Sequence, residues 1–446
     1  MKHLLIILFA LCLSLLAAQN APYYPTTTLI ENFGASWCLA CEVAQQGLDV
    51  ISSEVQASEI IVPRLLTESG DYSFPEMDER FSYYEVLGFP AVIFNGKIRV
   101  NGSDEPIADG SLYRDALNQF RYLASPIKMA VQSANHASGD YSFRVSMLHP
   151  GQSIEDAAIR FYLVEKSVTE DLDDIVRNVQ SQPITISGEG TNLDFNFTVS
   201  PDPAWNTANL WALAFVQASN KTVLQAISTQ PAPESQIRVA VPFDIDIRVL
   251  EPGSFFSPLF YVYKMGTAGT ISTVVEPVDL PEDWFVNYCD VDGFCYPGGT
   301  VYEHEMGANE AKAFDLNVYT GSEGVGLFNF VISSADAETY RIPFRMSVGN
   351  VSNQDPTSAP AAISVTSAWP NPFQNAVKFD LQSAKAGVST ELGIFNSRGQ
   401  KVANIPLHNL QQGINQVSWD ATDLPNGIYF YRLKNSNISG KLLRLR

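Results

Sequence analysis

The sequence predicts a multidomain chain in which an N-terminal α/β domain is followed by β-sandwich domains. Three observations carry this reading. Strand-like and helix-like runs alternate between residues 27 and 125, the pattern of a sheet covered by helices. Beyond residue 126 the apolar residues recur with period two in short runs separated by turns, as in half-buried strands. Only 17% of residues are charged while 11% are aromatic, a balance that suits exported, turn-rich β-domains.

The elements of the first domain follow in order. Thr27 to Phe33 is a β-prone run that enters Gly34-Ala35. From Cys38 onward Cys41, Ala44, Leu48 and Ile51 recur at spacings of 3, 4 and 3, one face of a helix. Glu59 to Leu66 returns to strand, and Pro75 to Leu87 reads as a helix with Pro at its start and acids in its first turns. Ala91 to Val100 is a hairpin turning at Asn95-Gly96, the strongest short hairpin signal. Leu112 to Leu123 closes the domain as an amphipathic helix.

The β-rich remainder divides by its linkers. Strand-like runs at 127–131, 141–145, 158–164, 193–199 and 210–216 fill a first sandwich over 126–235. The Pro-bearing stretch 230–235 separates it from a second sandwich over 236–350, both near 110 residues. Residues 351–364 form a polar linker too poor in apolar side chains to pack, and 365–446 is a last β module.

The ends of the chain concern export. Lys2 precedes an apolar run from Leu4 to Leu16, and small residues end it at Ala17-Ala18, so residues 1–18 read as a secretory signal peptide. Cys12 follows Leu11, without the small residues a lipoprotein cysteine needs before it, and is read as part of the discarded segment; a retained N-terminal anchor is the alternative. No other run is long enough for a transmembrane span, so none is expected in the mature chain. The whole chain carries a formal charge of −20, which repels phosphate backbones and argues against nucleic acid as a partner. The charge is uneven: residues 365–446 hold nine Lys/Arg against four Asp/Glu, a net of +5, which marks a module with its own task.

Four cysteines remain after the signal, in two local pairs, which in an exported protein favours disulfides over a zinc site. His136, His149, His304 and His408 stand singly, and neither a metal nor a cofactor is expected. Cys38-Leu39-Ala40-Cys41 is the candidate catalytic pair. Cys38 opens a helix, where free backbone N–H groups and the helix dipole lower a thiol's pKa, and Cys41 lies one turn in. Cys38 would attack a substrate disulfide and Cys41 would resolve the mixed disulfide. Cys289 and Cys295 lie in a turn-rich loop with no helix to activate a thiol and read as a structural disulfide, with a second redox pair as the alternative. Asp290-x-Asp292-Gly293 matches only the opening of a calcium loop and lacks its later ligands.

"FGASWCLAC" and, with Pro90 52 residues after Cys38, "GFPAVIFNG" resemble the thioredoxin superfamily over residues 22–125. That resemblance implies a thioredoxin-like fold, a disulfide-bearing protein as substrate, and a substrate groove shaped by Trp37, Phe89 and Pro90. It departs at Asn32, where thioredoxin carries a buried Asp; Glu31 beside it faces the other way by strand alternation. The combination with sandwich modules looks like the Omp28-related outer-membrane proteins. The scaffold alternative is a surface binding or adhesion protein whose cysteine pair is an inert disulfide.

The last module carries Trp369-Pro370-Asn371-Pro372-Phe373, then Arg398-Gly399-Gln400, Trp419-Asp420, Gly427 to Leu433 and the terminal Lys441 to Arg446. This series resembles the type A C-terminal sorting domain of type IX secretion, with an immunoglobulin-like look. The resemblance implies the type IX translocon and a surface sortase as partners of residues 365–446, and a secreted or surface-attached product. An ordinary terminal sandwich is the alternative.

Overall fold

The computed structural model describes residues 21–67, 72–103, 108–169, 172–349, 363–370, 373–383, 385–396, 401–422, 424–433 and 439–444. The signal-peptide segment 1–18 and residues 351–362 of the polar linker lie outside the described residues. The chain forms two compact units, 1–350 and 351–446. Most of it is β-sheet.

The first unit opens with β1 (Thr28–Gly34), α1 (Leu39–Ser53), β2 (Ile60–Ile61), β3 (Arg64–Leu66), α2 (Pro75–Tyr83), β4 (Ala91–Phe94), β5 (Ile98–Asn101) and α3 (Ser111–Asn118). β3 runs parallel to β1 on one side, and β4 runs antiparallel to it on the other, with β5 outermost. Three elements differ from their sequence expectation. The strand over 59–66 breaks in two at Pro63, which has no N–H to give the ladder. The helix from Pro75 stops at Tyr83 because Glu85 turns left-handed at φ 54°. The last helix ends at Asn118, where tighter turns follow: Phe120 N–H donates to Leu117 O and Leu123 N–H to Phe120 O. The hairpin turn is formed as expected, with Asn95 and Gly96 at φ 45° and 70°. Gly96 is required twice over, since a Cβ there would meet Lys221 O at 1.9 Å.

Seven strands follow: β6 (Ile127–Asn135), β7 (Asp140–Met147), β8 (Ser153–Glu165), β9 (Ile175–Ser187), β10 (Asn192–Thr198), β11 (Leu210–Ala218) and β12 (Val223–Ser228). β10, β7 and β6 form a three-stranded sheet. The other four do not close a separate sheet. They run in the order β12-β11-β8-β9, and β9 then pairs in parallel with β3, Ile175 beside Arg64, giving one nine-stranded sheet with the α/β segment.

This join explains a departure from half-buried strands. On β8, Phe161 and Leu163 face the sandwich core, while Tyr162 and Val164 face β1, β4 and α2. On β11, Ala212, Ala214 and Val216 face the first core, and Trp211, Leu213 and Phe215 face the second. Both strands are therefore apolar on both faces. The sheet of the α/β segment is covered on one face by α1 and α3, through Leu48, Ile51, Tyr113 and Leu117. On the other it is covered by α2 and by the first sandwich. Each Leu213 or Phe215 so buried contributes about 1.5–3 kcal/mol.

Residues 236–348 form a six-stranded and a five-stranded sheet packed face to face around Phe260, Ile271, Tyr288, Phe314, Phe330 and Phe344. Arg238 on this sandwich donates to Ser58 O at 2.6 Å and Thr26 O at 2.9 Å, and Tyr340 donates to Glu59 Oε2 at 2.9 Å.

The second unit has a three-stranded sheet (Ile363–Trp369, Ala376–Ser383, Gly413–Asp420) and a four-stranded one (Val388–Asn396, Lys401–Leu410, Gly427–Leu433, Ser439–Arg444). Phe373, Trp419, Tyr429 and Leu442, all from the motif series, meet in its core, with Trp419 5.7 Å from both the Phe373 and the Tyr429 ring.

Candidate functional site

β1 delivers the chain through Gly34-Ala35 to Cys38, which caps α1 in an extended conformation (φ −90°, ψ 100°). The Cys38 side chain accepts from Cys41 N–H at 3.2 Å, so one of the free donors of the helix end points at that sulfur. Glu42 sits in the first helical turn. Cys38 and Cys41 are joined as a disulfide with Cα atoms 5.2 Å apart. Cys38 is 8% exposed and Cys41 1%. Gly34 lies close against Cys41: a Cβ there would come within 3.1 Å of Cys41 Sγ.

The sequence-selected neighbours gather here. Phe89 packs on the cluster of Ala35, Cys38 and Cys41, and its ring lies 6.4 Å from Trp37 and 5.9 Å from Phe81 of α2. Pro90 follows in a cis peptide bond and is buried. Trp37 and Leu39 stand out into solvent, 67% and 77% exposed, on either side of Cys38. The rim of the disulfide is thus apolar, and thiolate stabilisation falls to the helix end.

Cys289 and Cys295 lie elsewhere, joined as a disulfide between directly opposed residues of strands Phe285–Asp290 and Cys295–Pro297. Asn317 Nδ2 donates to Cys289 Sγ at 3.0 Å. Asp290, the first residue of the calcium-like stretch, is spent on its own turn: Oδ1 accepts from the Asp292 and Phe294 N–H groups, and Oδ2 accepts from Tyr296 OH. Among the described residues no cluster of three or more His, Cys, Asp or Glu is placed to hold a metal. No helix among them is long and apolar enough to cross a membrane.

Sequence reasoning missed the polar cluster on the opposite face of β1. Glu31 does point away from Asn32, and there it meets Arg80 of α2 through two hydrogen bonds, Nε to Oε1 at 2.8 Å and Nη2 to Oε2 at 2.7 Å. Tyr162 OH and Tyr84 OH donate to the same carboxylate at 2.6 and 2.9 Å, and Arg80 Nη1 donates to Gln217 Oε1. Burial pulls the Arg80 pKa down most strongly, but the Glu31 charge, the Tyr162 and Tyr84 hydroxyls and the hydrogen bonds to Glu31 together outweigh it, and the guanidinium is held above its ordinary value. Burial and the same carboxylate push the Tyr84 hydroxyl upward. The cluster ties β1, α2, β8 and β11 together. Alternation gave the direction of Glu31, but nothing local announced its partners.

In the second unit, Arg444 is buried rather than presented as part of a basic tail. Its guanidinium donates to Gln374 O at 2.9 Å, Thr422 O at 3.1 Å and Leu424 O, pinning two loops.

Residues 367–443 match the family described as the secretion system C-terminal sorting domain. No curated protein matches the chain. Among solved structures, HBP35 of Porphyromonas gingivalis is similar over 73% of this chain and 99% of its own, at 10% identity and a TM-score of 0.35. Dimeric latent PorU from Porphyromonas gingivalis is similar over 72% of this chain and 34% of its own, at 12% identity and a TM-score of 0.18. The N-terminal domain of PorA covers 25% of this chain and 97% of its own, at 16% identity and a TM-score of 0.18. The terminal module is accordingly a sorting domain recognised by the type IX secretion system, and the chain is exported by that route to the cell surface or medium.

Proposed function

We propose that residues 22–125 are a thioredoxin-like domain, related to those of the Omp28-related proteins, which exchanges disulfides through Cys38 and Cys41 at or beyond the cell surface. The observation that carries this is the Cys41 N–H aimed at Cys38 Sγ at the head of α1, because a helix-terminal thiol is biased toward the reactive thiolate. The strand order β3-β1-β4-β5, with β3 parallel and β4 antiparallel to β1, supports the same reading. Phe89 and Pro90 beside the pair, with exposed Trp37, suit a groove for an extended substrate segment. In the reducing direction the Cys38 thiolate attacks a substrate disulfide and releases one substrate thiol. Cys41 then attacks Cys38, frees the second, and leaves the pair oxidised.

The sandwiches over 126–235 and 236–350 then serve as the body that carries the domain, with Cys289–Cys295 as a staple. Residues 365–446 deliver it, engaging the translocon and then a surface sortase. In the test, the mature chain supplied with a dithiol reduces the interchain disulfides of insulin, and Cys38→Ser brings turnover to background. Equal turnover by both proteins overturns the proposal.

One observation favours a second reading. Both cysteines are nearly buried, which suits a closed disulfide in a surface binding or adhesion protein that uses the fold as a scaffold. Thiol titration separates the two: a pair that opens in the folded chain supports exchange, and one that opens only on denaturation supports the scaffold.

A further inference from the structure

The second disulfide lies on the outer face of its sheet. Along Phe285–Asp290 the residues Val286, Tyr288 and Asp290 are buried, so Phe285, Asn287 and Cys289 take the opposite, outward side. Cys289 is half-buried, whereas Cys295 is exposed. Strand Cys295–Pro297 is the last in its sheet, and no described strand pairs with its far side. Asp290 N–H donates to Phe294 O at 2.9 Å, so that opposed pair carries ladder bonds and the next, Cys289 and Cys295, does not. The Cys295 N–H and C=O therefore point away from Phe285–Asp290, to the open edge. Val291 and Phe294, in the turn that leads to Cys295, are 61% and 65% exposed.

The two cysteines differ in more than exposure. Leu316 and Val318 face the core, so Asn317 between them shares the outer face with Cys289. Asn317 is 4% exposed, and its Nδ2 donates to Cys289 Sγ at 3.0 Å. Such a bond strengthens when the sulfur carries a charge, so it favours Cys289 as the departing thiolate. Asp315 acts against it. Its carboxylate stands opposite Cys289, accepts from the Cys289 N–H at 3.2 Å, and disfavours a second negative charge there.

We infer that Cys289–Cys295 is a thiol-exchange site as well as a staple, and that its partner is an extended peptide bearing a cysteine thiol. The incoming thiolate attacks Cys295 Sγ, the Cys289–Cys295 bond breaks, and a mixed disulfide forms on Cys295. The electron pair of the broken bond leaves on Cys289, which then takes up the proton that the incoming thiol gave off. The partner sulfur is oxidised as Cys289 is reduced, and no further reactant is needed. An extended backbone can pair with the free Cys295 N–H and C=O while its cysteine reaches the sulfur. Cys38 and Cys41 take no part.

The full mature chain is incubated with glutathione, a tripeptide thiol, and trapped at short intervals by alkylation. Tandem mass spectrometry then locates the adducts, and circular dichroism confirms that the chain stays folded. Glutathione should be found on Cys295, with Cys289 alkylated. Asn317→Leu should slow the opening by roughly threefold to tenfold, the worth of one modest hydrogen bond. Asp315→Asn keeps an acceptor for the Cys289 N–H and should speed the opening by up to about fivefold, the worth of one exposed charge pair. A pair that stays closed in the folded chain, glutathione found chiefly on Cys289, or rates that neither substitution moves overturns the inference. Each of those results leaves Cys38 and Cys41 untouched, since their state is read on a separate peptide of the same digest.

Discussion

In the second unit four residues of the motif series pack at home: Phe373, Trp419, Tyr429 and Leu442 share one core, and Arg444 ties down that unit's own loops. The first unit is organised differently. Its α/β segment leaves one sheet face to be covered by β8, β9 and β11, and its polar cluster draws Glu31, Arg80, Tyr162 and Gln217 from four elements. A module that must be recognised and handled apart from its cargo gains from a self-contained core. The segment that carries the cysteine pair instead borrows its stability from the sandwich beside it.

The largest test of this contrast removes whole parts. A chain ending at Pro360 should keep the fold and the unfolding transition of the first unit but remain inside the outer membrane, as cell fractionation would report. A chain ending at Ser125 loses the cover over Leu29, Phe33, Leu65 and Ile93 and exposes that face to water. It should be insoluble or lack a cooperative transition by circular dichroism. A stable, monomeric 21–125 piece would break the contrast.

A single substitution can sharpen it. Arg80→Met leaves the Glu31 carboxylate buried with only tyrosine hydroxyls as partners, which should cost about 3–5 kcal/mol in urea denaturation. Glu31→Leu combined with Arg80→Met removes both charges and should regain most of that loss. If the single variant is as stable as wild type, the cluster does not hold the segment to its sandwich.

The same contrast governs what could be read from the sequence. The sorting module was legible because the large apolar residues of its motifs, Phe373, Trp419, Tyr429 and Leu442, are also core residues. The helix that follows Cys38 and the Asn95-Gly96 turn were legible because period and turn chemistry act over a few residues. The pairing of β9 with β3 was not, since it joins Ile175 to Arg64 across more than a hundred residues and no local pattern encodes it. One sign was present. Leu210 to Val216 is apolar at every position, which a strand with one wet face would not be. The cysteine site was legible in its cysteines, in Phe89 and Pro90, and in the direction of Glu31. The partners of Glu31 arise only when distant elements meet.

The smallest expected effect lies at that join. Asp174 precedes β9, its carbonyl accepts from Arg64 N–H at 2.8 Å, and its Oδ1 accepts from Trp211 Nε1 at 2.8 Å. Burial, then the neighbouring Asp173 charge, push its carboxyl up to about 6. A carboxyl raised in the folded chain binds its proton more tightly there than in the unfolded chain. Its contribution to stability is therefore present below pH 4 and is lost as the pH rises through 6. Asp174→Asn removes the buried charge, can keep the Trp211 bond through its amide oxygen, and tolerates the left-handed φ of 52° found there. The variant should match wild type near pH 4 and exceed it by about 1–3 kcal/mol at pH 7. Urea titrations at the two pH values decide the matter, and an equal difference at both would mean that the charge at this join carries no penalty.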